Sequence, residues 1–256
     1  MIDIQGLVKR YGDLVAVNHL DLEIGAGEIF GFLGPNGAGK TTTIRILVGL
    51  LRPTAGTARI AGYDVVKEPL KVKASIAYLP EQPFLYNELT GLQHLRLVCA
   101  LYGVDRDAAA RRLDRLLPLF DLQQAAGNLI ASYSHGMRQK LAWCSVLVVE
   151  PKVLLLDEPF QALDPRGIRV IKDILKTLSA NGMTIFLCTH ILEIAEHICD
   201  RVGILNLGQI VAVGGLQDIQ KNVGAGQSSL EDLFLELTGG PVYRDLISDL
   251  RESGPC

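Results

Sequence analysis

No stretch of this 256-residue sequence stays apolar for the roughly 18 residues that a membrane span requires. Any work at a membrane therefore needs another chain, and no direct insertion is expected. There is no long basic run, and the net charge is −3. That argues against a dedicated nucleic-acid binder, a local patch aside. The five cysteines (Cys99, Cys144, Cys188, Cys199 and Cys256) are odd in number, scattered and free of any C-x-x-C spacing. They read as reduced thiols of a cytosolic protein, mostly packed as small apolar side chains. Internal repeats and low-complexity segments are missing too. The first residues, Met-Ile-Asp-Ile, enter a strand pattern directly, so no signal peptide is expected. What the chain has in quantity is hydrophobic residues, 48 % of the total. That is enough for a substantial core, in one large domain or two small ones.

The stretch around which the rest is organised is Gly34-Pro35-Asn36-Gly37-Ala38-Gly39-Lys40-Thr41-Thr42. It matches G-x-x-x-x-G-K-[ST]. Glu28–Leu33 before it reads as a short buried strand. After it, Ile44, Leu47, Val48 and Leu51 recur on one helical face. Strand, glycine-rich loop and helix form the context that a phosphate-binding loop requires. The glycines let backbone N–H groups turn around phosphate oxygens, and the helix N-terminus adds partial positive charge there. Lys40 would reach the β- and γ-phosphates, and the Thr41 hydroxyl would ligate Mg²⁺. A chance glycine turn is the weaker alternative, since both flanks are correct.

Strands are expected across residues 1–30, over Thr57–Tyr63 and over Ser75–Leu79. Tyr11, at the end of a first strand, is read as a base-stacking residue or as an ordinary half-buried tyrosine. Gln82 lies in an extended loop between Pro80 and Pro83, where a functional and a merely solvated glutamine are equally open readings. From Thr90, an N-cap, the period turns helical and stays so to about residue 150. This reads as a helical subdomain inserted into an α/β domain. Within it Ser134 caps a helix, but His135-Gly136 follows where better helix formers would serve.

Pro151-Lys-Val-Leu-Leu-Leu-Asp157-Glu158 reads as a central parallel strand ending in two carboxylates. Ligands of α/β sheets bind at such strand ends. Asp157 is placed to hold Mg²⁺ and Glu158 to polarise a water. Asp164 caps a helix that Pro165 opens. Thr184–Cys188 is another buried strand, with His190 at its C-terminal end. His190, Glu193 and His197 share a helical spacing, yet it is not a zinc motif. Arg201–Asn206 and Gln209–Val213 form a hairpin around Leu207-Gly208. A hinge is expected at Gly224/Gly226, an amphipathic helix at Ser229–Leu237, and a loosely held segment after it.

Taken together, residues 1–237 resemble the nucleotide-binding subunit of ATP-binding-cassette (ABC) transporters. The resemblance rests on the order of Tyr11, the loop at 34–41, Gln82, the signature at 133–137, the strand-end carboxylates at 153–158, Ala162-Leu163-Asp164 and His190. It implies an α/β P-loop NTPase fold with a mainly parallel sheet. It also implies an N-terminal antiparallel β subdomain, a helical subdomain at about 84–150 and a C-terminal tail at 238–256. It implies ATP and Mg²⁺ as ligands. Tyr11 would stack on adenine, and Gly34 to Thr42 would bind phosphate with Ser134, His135, Gly136 and Asp164. Thr41, Asp157 and Gln82 would hold or sense the metal. Glu158 would be the catalytic base, with Lys40, Gln82 and His190 as its catalytic company.

The signature departs from the family's usual Leu-Ser-Gly-Gly-Gln, reading Tyr133-Ser134-His135-Gly136-Met137. That form, and the Leu-Glu-Asp-Leu-Phe-Leu-Glu-Leu run at 230–237, resemble the subfamily that serves ABC-2-type exporters. His135 is tolerable there only if it points away from the nucleotide or joins in binding it. The expected protein is an ATPase, peripheral on the cytoplasmic face of the membrane. It would couple hydrolysis to transport, in the export direction, through a separate permease. Two copies, or a copy and a close paralogue, would meet head to tail with ATP between them. The rival is a soluble ABC-type switch acting on ribosomes or DNA. Against it, the stretch between Lys40 and Ser134 holds no heptad run, and the chain has no basic patch.

Overall fold

The structure is a computed structural model that describes residues 1–223 and 229–239. The chain opens with two long strands, β1 (Ile2–Tyr11) and β2 (Leu14–Ile24), folded against each other at Gly12-Asp13. Then come β3 (Ile29–Leu33), the glycine-rich loop and α1 (Lys40–Leu47). The expected strand at 57–63 is interrupted. It forms β4 (Ala55–Ile60) and β5 (Tyr63–Asp64), because Ala61 and Gly62 both take positive φ and make a tight turn. A short helix, α2 (Pro69–Ser75), leads into β6 (Ile76–Leu79). With seven residues it is too short for the apolar period to have revealed it.

Between β6 and β7 (Val153–Asp157) the chain is helical, with α3 (Gly91–Leu101), α4 (Arg106–Leu119) and α5 (His135–Leu147). Each has a side-chain N-cap. Thr90 makes a reciprocal capping box with Gln93, Asp105 accepts from Asp107 and Ala108, and Ser134 accepts from Met137. The remaining elements are α6 (Pro165–Ala180), β8 (Thr184–Thr189), α7 (Leu192–Ile198), β9 (Arg201–Asn206), β10 (Gln209–Gly214), α8 (Leu216–Val223) and α9 (Leu230–Thr238). The hairpin of β9 and β10 turns at Leu207-Gly208, both with positive φ. The expected Gly224/Gly226 hinge, and the tail beyond Gly239, lie outside the described residues.

The strands make two sheets. One is four-stranded and antiparallel, in the order β2-β1-β4-β5. The other is six-stranded, in the order β10-β9-β3-β8-β7-β6, parallel except at the β10 edge. β3, β7 and β8 are buried along their whole length, as continuous apolar runs in a parallel sheet must be. Helix α1 is packed against both sheets. Ile46 is therefore buried as well as the expected Ile44 and Leu47. Each such side chain contributes roughly 1.5–3 kcal/mol on burial.

Register decides where the loops emerge. Leu33 of β3 lies level with Thr189 of β8, Asp157 of β7 with Cys188, and Leu79 of β6 with Leu156. Four parallel strands therefore end together, and the segments after them share one edge of the sheet.

Candidate active site

That shared edge holds a cleft of about 370 Å³. Its floor is the glycine-rich loop. Gly39, at φ 108, caps α1, and a Cβ there would come within 2.3 Å of the Ala16 carbonyl. Gly37, also at positive φ, faces open space. So the loop excludes side chains behind and keeps its front clear, the shape needed for backbone N–H groups to approach an anion. The Lys40 ammonium is drawn back onto this loop, donating to the carbonyls of Gly34 at 2.6 Å and Pro35 at 3.2 Å.

Of the two strand-end carboxylates, Glu158 lines the cleft and Asp157 does not. Asp157 is buried, and burial pushes its carboxyl up to about 6. A hydrogen bond from the Thr41 hydroxyl opposes the shift, Glu158 and Glu81 add to it, and Lys40 opposes it. Its Oδ1 is buried with no hydrogen-bond partner. A carboxylate oxygen left in that way, beside a hydroxyl, is the donor set of a hard divalent cation. Among the described residues no group of three or more His, Cys, Asp and Glu side chains could hold a metal alone. A cation held by Asp157 and Thr41 would complete its shell with phosphate and water.

Glu158 stands at φ 48, a left-handed conformation that is rare outside glycine. Its N–H donates to the Cys188 carbonyl at 2.9 Å. Its Oε2 accepts the His190 backbone N–H at 3.3 Å and lies 2.9 Å from His190 Nδ1. The imidazole itself stays half exposed at the cleft mouth.

The structure brings together Tyr11, Asn36, Gly37, Gly39, Lys40, Thr41, Thr42, Glu158 and His190 around this cleft. Gly34 and Ala38 support it from behind: a Cβ on Gly34 would lie 2.5 Å from the Leu205 carbonyl, and Ala38 is buried. Gln82 is not among the lining residues. The exposed Glu81 next to it does line the cleft. Gln161 lines the cleft too and donates to Glu81 Oε1 at 3.3 Å. Glu81 and Gln161, and likewise Leu14 and Ala16 beside Tyr11, were not expected at the cleft from the sequence. The Glu81 carboxylate was a visible signal; the other three carried none.

Ser134, His135, Gly136 and Asp164 lie away from this cleft. The Ser134 hydroxyl accepts the Met137 N–H as a helix cap, and Asp164 Oδ1 accepts the Gly167 N–H at 2.6 Å. Asp164 borders a separate small crevice with Lys140 and Arg166. Within one chain, then, these four residues do not meet the loop at 34–42.

A strand-loop-helix cradle facing strand-end carboxylates at one edge of a parallel sheet defines a P-loop nucleotide hydrolase. Residues 17–161 match the family described as ABC transporter, and the chain belongs to that family. It is 39 % identical over 254 residues to the daunorubicin resistance ATP-binding protein DrrA3 of Streptomyces coeruleorubidus, spanning 95 % of this chain and 80 % of that one. It is 33 % identical to the ABC-type transporter ATP-binding protein EcsA of Bacillus subtilis, over 93 % of this chain and 96 % of its relative. A solved ATP-binding subunit of an ABC transporter superposes with a TM-score of 0.90 at 36 % identity, covering 93 % of this chain and 99 % of the other. A dimeric bacterial ABC transporter cassette superposes at 0.78 with 26 % identity, covering 84 % and 99 %. The protein is an ATP-binding, ATP-hydrolysing subunit of a transporter. Among the described residues no helix is long and apolar enough to cross a membrane.

Proposed function

We propose that residues 1–237 form the ATPase domain of an exporter, with a helical insertion at about 84–150, and that two such domains share the work. The observation that carries this reading is the division of the site. Loop, Glu158 and His190 share one cleft, while Ser134, His135 and Gly136 stand at a helix start outside it. A second copy, or a close paralogue, would bring its own Ser134–Gly136 helix start to the γ-phosphate, where backbone N–H groups and the helix dipole favour an anion.

The chain's residues then have distinct tasks. Tyr11 offers a ring for the adenine. Lys40 leaves the Gly34 and Pro35 carbonyls for the β- and γ-phosphates, exchanging two neutral acceptors for charged ones. The Thr41 hydroxyl and Asp157 would hold Mg²⁺, which when bound neutralises phosphate charge. Glu81, in place of Gln82, watches that region from the β6 loop. Glu158 orients a water and accepts its proton as the water oxygen attacks the γ-phosphorus and ADP departs. His190, held by Glu158, contacts the γ-phosphate.

Work reaches the membrane partner through a second, apolar groove of about 420 Å³, lined by Leu79, Phe84, Leu85, Tyr86, Val98 and Tyr102 among others. Phe84 is 94 % exposed, a cost that a partner surface would remove. Arg138 of α5 donates to Asn87 Oδ1 at 2.8 Å, joining this groove's loop to the helix that starts at His135. A permease segment seated there would place the protein peripherally on the cytoplasmic face. Names of relatives that speak of drug resistance, or of multidrug transport as in YbhF of Escherichia coli, support export as the direction.

The test is the mass of the Glu158→Gln protein in solution with MgATP. It should double, and Ser134→Arg in the same protein should keep it single. A mass unchanged by MgATP would remove the shared-site reading.

A further inference from the structure

Two side chains of α5 converge on one oxygen. Gln139 Nε2 donates to the Pro159 carbonyl at 3.3 Å, and Trp143 Nε1 donates to the same carbonyl at 3.1 Å. They are four residues apart, so they share a helix face. A carbonyl oxygen has two lone pairs and can take both. Gln139 and Trp143 are both buried, and Trp143 is the single tryptophan of the sequence. A glutamine inside a core is disfavoured unless its amide is bonded, and a packing role alone would be filled as well by leucine or methionine.

The carbonyl they hold belongs to the residue after Glu158. Glu158 is in a left-handed conformation that only its surroundings can impose. Its own N–H is tied to Cys188 of β8. The turn is therefore gripped from β8 on one side and from α5 on the other. The same α5 starts at His135, beside Ser134. One helix thus carries the residues offered to the opposing nucleotide and the two donors that grip the turn of its own Glu158.

We propose that Gln139 and Trp143 are positioning residues of the hydrolytic step. By holding the Pro159 carbonyl they aim the Glu158 carboxylate and lock its turn to the helix that faces the second subunit. This rests on the roles proposed above for Glu158 and Ser134. Movement of α5 when two copies close is then passed to the catalytic turn of the same chain without any intervening loop.

The experiment uses the full chain with Trp143→Phe, Gln139→Met and both together. Thermal melts confirm that each is folded at the assay temperature. Because either donor alone keeps much of the hold, each single change should lower kcat about threefold and the pair about thirtyfold, while KM for ATP stays within about twofold. A purely structural role would lower the melting temperature and leave kcat of the folded protein unchanged. A folded double variant with kcat within about threefold of the parent overturns the proposal. If the double variant does not fold, the singles decide, and unchanged kcat in Trp143→Phe and Gln139→Met overturns it equally. The Glu158→Gln variant separates the two layers: normal turnover there refutes the role of Glu158 itself, whatever the α5 variants do.

Discussion

Glu158 and His190 are joined twice through a single oxygen. Glu158 Oε2 accepts the His190 backbone N–H at 3.3 Å and sits 2.9 Å from the ring Nδ1. The carboxylate is buried and the ring half exposed, so the buried group anchors the exposed one. Glu158→Gln keeps the size and one acceptor oxygen but cannot take a proton. ATP hydrolysis should fall by ~10²–10⁴, the range of a lost general base, with ATP binding retained. Steady-state turnover beside equilibrium nucleotide binding checks both halves.

Lys40 rests on the Gly34 and Pro35 carbonyls until a stronger acceptor arrives. Lys40→Ala removes that cation from a cleft lined by Glu158 and Glu81, with the buried Asp157 within electrostatic reach. Phosphate would then face carboxylates with Mg²⁺ alone to offset them, and both ATP affinity and turnover should collapse. Calorimetric titration with MgATP that matches the parent protein would rule out the cradle.

Glu81 and Gln82 are neighbours with different fates. Gln82→Ala should leave ATPase activity within about twofold, since it does not line the cleft. Glu81→Ala should lower it, because Glu81 borders the cleft and holds Gln161. Turnover of the two proteins at saturating ATP distinguishes them.

Phe84 and Tyr86 project from the groove loop with no catalytic contact. Phe84→Asp should spare ATP hydrolysis by the isolated protein and abolish transport with the permease present. Membrane fractionation of cells expressing both chains should show the variant in the soluble fraction. Lost ATPase activity with retained membrane association would contradict the docking assignment.

His94 lines the same groove with its Nδ1 buried and unpartnered. Burial lowers its pKa below the ordinary 6.5, favouring the neutral ring in the folded state. As pH falls below 6.5 the unfolded chain takes up a proton that the folded one refuses, so stability is lost from there down to the folded pKa. Asp157, pushed up to about 6 by burial, acts in the opposite sense and is common to parent and variant. His94→Gln should therefore lose less stability than the parent between neutral and acidic pH. Urea denaturation midpoints at pH 7 and pH 5 measure the difference, and equal losses would refute it.

Much of this protein was legible in the chain itself, wherever a local pattern has a single physical solution. Gly39 next to Lys40, after an apolar strand pattern and before a helical period, carries the pattern of a phosphate loop. Val153–Leu156 is uniformly apolar because parallel strands are covered on both faces, and Ser134 and Asp164 announced their helices as caps. Tertiary structure decided what depends on register and packing between distant segments. It set Glu81 at the border of the cleft, brought Leu14 and Ala16 beside the loop, and buried Ile46 between two sheets. It also aimed Gln139 and Trp143 at one carbonyl of a strand end sixteen and more residues away. Sequence spacing fixes which side chains share a helix face, but only the placement of that helix against the sheet fixes which atom they meet.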